Sequence, residues 1–180
     1  ASGRFAWNGT EAWIHPPELQ SPNPMFWATT GFYFSSIPFV LADPGLRYDV
    51  LPDEDLDGRI HRMVRVSYDE GVGHSDGDWY TLYLDPETDR VRAIRYTVTY
   101  GRGRPAADAT PSENLFYYDD FETVDGLTVP TRFRGYRFTD GVKGDFRNEA
   151  WVSDISFRRP FDAARLEAPE GARVVGPPSS

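Results

Sequence analysis

The chain has 180 residues, 39% apolar and 26% charged, with a net charge of −9. That length suggests one domain, with enough apolar residues for a core. The acidic balance argues against nucleic acid, which needs a basic face, and against docking on anionic lipid by charge alone; the absence of cysteine removes disulfides, Fe–S clusters, thiol nucleophiles and cysteine-zinc sites.

The first predicted elements are two short alternating runs, Arg4–Trp7 and Glu11–His15. Asn8-Gly9 between them is a strong hairpin signal. Pro16–Pro24 holds four prolines and reads as an irregular link. Asn23 is placed to cap a short helix with Pro24 at its first position, and Gly31 to end it. Ser35 or Ser36 can start a second short helix, with Pro38 in its first turn and Pro44-Gly45 as its stop. Phe26–Gly45 carries one charge, Asp43, and six rings: Phe26, Trp27, Phe32, Tyr33, Phe34 and Phe39. A helix that is apolar on most sides is buried or faces a ligand.

Strands follow. Arg47–Leu51, a polar turn at Pro52–Gly58, Ile60–Tyr68, Trp79–Leu84 and Val91–Tyr100 come first. In Val91–Tyr100, Ile94, Tyr96, Val98 and Tyr100 alternate with Ala93, Arg95, Thr97 and Thr99, a period of two. Leu115–Val124, Asp125-Gly126 and Leu127–Phe138 form the clearest hairpin, and Ala150–Phe157 reads as the last strand. The tail, residues 168–180, is rich in Pro, Gly and Ser and is expected to be loose. The expectation is a mainly β domain over residues 1–167: an antiparallel meander of eight or nine strands. Such a sheet must close, pair or wrap something to cover its apolar face.

Three stretches in this order, TLYLDPETDRVRAIRY (Thr81–Tyr96), DDFETVDGLTVPTRFRGY (Asp119–Tyr136) and VSDISFRRPFD (Val152–Asp162), resemble the LolA/LolB-like outer-membrane lipoprotein-carrier superfamily. The phrase GFYFSSIPFVLADPG is similar to a group of uncharacterised secreted bacterial proteins, DUF6503. The resemblance spans roughly Trp7 to Val174. It implies a curved antiparallel sheet, an incomplete or half β-barrel, with short helices packed on the concave face and an apolar cavity between. It also implies a helix and strands upstream of this chain's first residue, and basic residues near the opening, where this chain is net acidic. The implied setting is the bacterial envelope, periplasmic or outer-membrane associated. The implied function is non-enzymatic binding or transport of a lipid or of the acyl chain of a lipidated protein, with a peripheral membrane encounter. The alternative is a structural or protein-interaction module of an envelope assembly with no small-molecule ligand.

The candidate ligand-binding residues are Phe26, Trp27, Phe32, Tyr33, Phe34 and Phe39, since apolar pockets are built from such rings. Plain core packing explains any single one of them at least as well. Asp69, Glu70, His74, Asp76 and Asp78 form an acidic glycine-rich loop without calcium-hand or zinc spacing, so a solvated loop is expected and no metal. His15, His61 and His74 lie in different elements, and no nucleophile elbow, HExxH, Walker or dinucleotide motif occurs. No catalytic residue or cofactor is expected. Trp7, Trp13, Trp79 and Trp151 lie on predicted strands. Trp151, in phase with Ile155 and Phe157, is expected to face inward.

Overall fold

The computed structural model describes residues 3–19, 23–37, 39–72, 77–99 and 112–176. Its strands, in chain order, are β1 (Arg4–Trp7), β2 (Ala12–His15), β3 (Leu46–Leu56), β4 (Arg59–Tyr68), β5 (Trp79–Leu84), β6 (Val91–Tyr96), β7 (Glu113–Val124), β8 (Leu127–Thr139), β9 (Val142–Trp151) and β10 (Arg173–Val175). One α-helix, α1 (Pro24–Ser36), and two single 3-10 turns, Phe39–Ala42 and Ala163–Leu166, complete the described elements. The chain is mainly β, as its composition and alternation predict. It divides into two compact units, Ala1–Val40 with Arg159–Ser180, and Leu41–Arg158.

The first unit is built on a three-stranded antiparallel sheet in the order β1-β2-β10. The Asn8 side chain accepts from the backbone N–H groups of Thr10 and Glu11 at 3.0 and 2.9 Å, closing the β1–β2 turn. β10 pairs with β2 through Arg173↔Ile14 and Val175↔Ala12. The C-terminal stretch expected to be loose therefore contains a strand. The Trp13 indole N–H donates to the Leu166 carbonyl at 2.7 Å, a second tie between the two ends of the chain.

α1 starts as its sequence dictates. The Asn23 side chain accepts from the Phe26 N–H at 3.1 Å, and Pro24 occupies the first turn, where a missing N–H costs nothing. It does not stop at Gly31. A helical glycine costs about 1 kcal/mol relative to alanine, too little to end a helix that gains from packing. In place of two short helices there is one α-helix, and the second is only the 3-10 turn at Phe39–Ala42. Met25 and Ile37, at its two ends, are the fully buried anchors.

The second unit is a seven-stranded antiparallel sheet, β3 through β9 in sequence order, with edges β3 and β9 and no closure into a barrel. β3 runs on through the expected Pro52–Gly58 turn, and only Asp57-Gly58 turns. Both residues have positive φ, 54° and 84°, which Asp-Gly tolerates and a two-residue hairpin requires. The register slips between Leu51 and Glu54, a bulge at Pro52-Asp53. The predicted last strand is displaced: β9 is Val142–Trp151, and 152–157 form no strand. Trp151 is 65% exposed, not inward, because it ends an edge strand.

In the central strands both faces are buried. One face, called the inner face here, holds Met63, Tyr83, Ala93, Leu115, Tyr117 and Phe138 with Leu56 packed among them. The other carries Val66, Leu82 and Ile94 and an aromatic row in which Tyr118 and Phe133 lie 5.5 Å apart and Phe116 and Phe133 stack at 5.8 Å.

Candidate functional site

The six predicted ring residues are placed along α1 and the following 3-10 turn, and none of them is buried. Phe26, Tyr33 and Phe34 are half-buried. Trp27 is 46%, Phe32 52% and Phe39 49% exposed. Phe26 and Trp27 pack edge to face at 5.3 Å, and Phe32 meets Trp7 of β1 at 5.8 Å. Core packing is therefore carried by Met25 and Ile37, not by the rings. No residue of α1 is charged. Its hydroxyls turn back on the helix: Thr29 donates to the Met25 carbonyl and Ser35 to the Gly31 carbonyl, each at 2.8 Å. Such back-bonding hides the polar atoms, so the outer surface of α1 is largely hydrocarbon.

The inner face of the sheet presents a second cluster, which the sequence reading missed. Alternation places Arg95, Glu113, Leu115, Tyr117, Asp119, Arg134, Tyr136 and Phe138 on this one face. Charges sit among rings here. The Tyr83 hydroxyl donates to Glu54 Oε1 at 2.9 Å, and Arg95 Nη1 donates to the same oxygen at 3.1 Å. The Arg95 guanidinium lies 5.1 Å from the Phe138 ring and 5.7 Å from Tyr83. The Tyr117 hydroxyl donates to Asp57 Oδ2 at 2.8 Å, and Lys143 Nζ donates to Asp57 Oδ1 at 2.5 Å. Lys143 is the only lysine in the chain. Asp119 accepts from Arg134 Nε at 2.6 Å and from Arg92. Arg92 reaches it from the bulge between Tyr83 and Leu84, consistent with bulges re-aiming a side chain.

The electrostatics follow from these contacts. Burial pushes the Asp57 carboxyl up, but hydrogen bonds from Lys143 and Tyr117 and the charges of Lys143 and Arg134 outweigh it and hold it below the ordinary value. Asp119 is likewise raised by burial and lowered further by Arg134 and Arg92, with the net shift downward. Burial pushes the Tyr83 phenol up, and the Glu54 hydrogen bond adds to it; burial and the Asp57 hydrogen bond raise Tyr117. Carboxyls go down and phenols go up, away from neutrality on both sides. These groups hold fixed charges and hydrogen bonds rather than exchanging protons near neutral pH.

The remaining candidates separate. Asp69 pairs with Arg47 at 2.5 Å, and Asp78 accepts from the Thr99 N–H at 2.5 Å. His74 and Asp76 lie outside the described residues, and no group of three metal-ligating side chains occurs among the described ones. His61 is buried, its Nδ1 2.8 Å from the Arg59 carbonyl and its ring 6.0 Å from Tyr83. Asp119 is buried and its neighbour Asp120 is exposed, the opposite-face placement that strand geometry predicts for adjacent carboxylates. No described helix is long and apolar enough to cross a membrane.

A faint signal for the inner-face cluster was present: arginines recur at Arg92, Arg95, Arg132 and Arg134, each next to an apolar or aromatic residue in its strand. No family model, curated protein or solved structure matches the chain.

Proposed function

We propose that the protein is a non-enzymatic binder or carrier of an apolar ligand, a lipid or the acyl chain of a lipidated protein, acting in the bacterial envelope at a periplasmic or outer-membrane-associated site. The half-barrel of the LolA/LolB-like carriers, with short helices on its concave face, belongs to the same proposal, as does kinship with the DUF6503 group. The observation that carries it is the uncharged helix α1, which leaves Trp27 and Phe32 about half exposed, with Phe39 beyond it. Covering the exposed half of such a ring removes on the order of 100 Å² from water and contributes about 2 kcal/mol. Each methylene of an alkyl chain that such a ring covers adds about 0.8 kcal/mol.

Titration with a fluorescent fatty-acid analogue tests this. Micromolar binding by the intact protein, lost in the Trp27→Ser/Phe32→Ser double variant, is the expected result. Absence of binding at that level overturns the reading, and mass spectrometry of lipid extracted from the purified protein gives an independent check.

The competing reading, an interaction module without a small-molecule ligand, draws on the outer edge of β9, where Val142, Phe146 and Trp151 are exposed. An exposed edge strand is a template for pairing. A mass by light scattering above that of one chain, reduced by Trp151→Ser, favours it.

A further inference from the structure

β9 is the last strand of its sheet and pairs with β8 alone. All of its residues except Glu149 are exposed. Its free side therefore offers backbone N–H and C=O groups to another strand.

The shape of this edge restricts what can pair with it. β9 carries one extra residue on each side of Phe146. The register slips between Gly135↔Asn148 and Tyr136↔Phe146, and again between Tyr136↔Phe146 and Phe138↔Lys143. Such bulges spoil the ladder spacing for a regular strand. A second β9, run antiparallel about Phe146, brings its own extra residues to the matching places.

The charges select the same arrangement. The strand reads Val142-Lys143-Gly144-Asp145-Phe146-Arg147-Asn148-Glu149-Ala150. Each charge has one of opposite sign equally far from Phe146 on the other side. Turned antiparallel about Phe146, Asp145 of one copy lies opposite Arg147 of the other, Lys143 opposite Glu149, and Val142 opposite Ala150. Opposite charges across a ladder stabilise it and like charges destabilise it. Centring on Asp145 instead sets Lys143 against Arg147; centring on Arg147 sets Asp145 against Glu149. Parallel pairing in register sets every charge against itself.

The groups are available. Neither the Asp145 nor the Arg147 side chain has an ion pair or hydrogen bond among the described residues. Lys143 Nζ uses two donors, on Asp57 and the Tyr117 hydroxyl, and keeps a third. Glu149 meets Arg132 through Oε1, which leaves Oε2.

We propose that β9 pairs antiparallel with β9 of a second copy of this chain, centred on Phe146, in a two-fold dimer with one sheet running through both copies. The second copy rests on the edge reading given above and is independent of the α1 ligand.

Sedimentation equilibrium over a concentration series tests the pairing on the wild-type chain. The mass is expected to rise from that of one chain toward two. Asp145→Arg and Arg147→Asp each set like charges across the ladder, twice per dimer, and each is expected to raise the dissociation constant at least tenfold. Both substitutions in one chain restore opposite charges and are expected to bring the constant back within threefold of wild type. Mixing the two single variants restores them as well, so the mixture forms dimers that neither variant forms alone. A mass of one chain at every concentration overturns the self-pairing. A dimer that Trp151→Ser weakens and the charge variants do not overturns this register while the edge reading stands. Far-UV circular dichroism checks the fold of each variant; if one misfolds, Phe146→Arg sets like charges on the two-fold axis and is expected to give the same tenfold loss.

Discussion

Two regions, one in each unit, place their aromatic residues in opposite ways. On the inner face of the second unit Tyr83 and Tyr117 are buried, and each holds a carboxylate. On α1 of the first unit no ring is fully buried, and Met25 and Ile37 are covered instead. The contrast teaches that aromatic content alone does not mark a core. What matters is whether polar partners are supplied: phenols on the inner face find acceptors, while Trp27 and Phe32 project from a helix with no charged neighbour in sequence.

Substitutions that break this contrast are expected to act with graded force. The largest loss follows Leu115→Ala, which opens a cavity at a fully buried inner-face position. It is expected to cost about 2–5 kcal/mol, read as a lower urea midpoint at unchanged slope. Next is Asp119→Asn, which leaves Arg92 and Arg134 without their carboxylate. Removing one member of a buried pair costs about 3–5 kcal/mol, but these guanidinium groups are about a third exposed, so about 1–3 kcal/mol is expected.

Two carboxylates of the inner face set an acid limit. Asp57 and Asp119 are held below 3.8 in the folded chain. Their contribution is therefore complete above the unfolded value and is lost as pH falls through the lower folded values. Stability measured from pH 6 to pH 2 is expected to drop below about pH 4. The drop is expected to be shallower in Asp57→Asn/Asp119→Asn; equal slopes in both proteins would mean that other carboxylates govern it.

Smaller again is Asn23→Ala, which removes the α1 cap and is expected to cost about 1 kcal/mol, read in thermal unfolding. Trp27→Ser/Phe32→Ser uncovers the packed halves of two rings and is expected to cost no more than about 2 kcal/mol per ring, read in the same thermal unfolding. That variant nevertheless abolishes fatty-acid binding if the α1 reading holds. A large stability loss there would make the rings structural and erase the contrast between the units.

Much of the sheet was legible from pattern. β6, β7 and β8 alternate cleanly, and Asp125-Gly126 marks its turn with residues that accept positive φ. β9 was not legible. Its residues, VKGDFRNEAW, are mostly exposed and polar because an edge strand buries little, so no period of two survives. The strand was sought instead at Ala150–Phe157, of which only Ala150 and Trp151 belong to β9. The α1 rings were legible as a candidate site but their exposure was not, since a helix that is apolar all round gives no phase. The inner-face network was the least visible: Glu54, Asp57, Tyr83, Tyr117 and Lys143 are up to 86 positions apart in the chain.

Sequence alone determined the local matters: the Asn23 cap, the Asn8-Gly9 and Asp125-Gly126 turns, the alternation of the central strands, and the charge-free aromatic character of α1. These depend on neighbours within a few residues, whose conformational preferences act without long-range help. Tertiary structure decided which rings were covered, and it carried Asp57 across seven strands to Lys143. Burial and ion pairing arise between distant segments, and only a folded sheet brings those segments together.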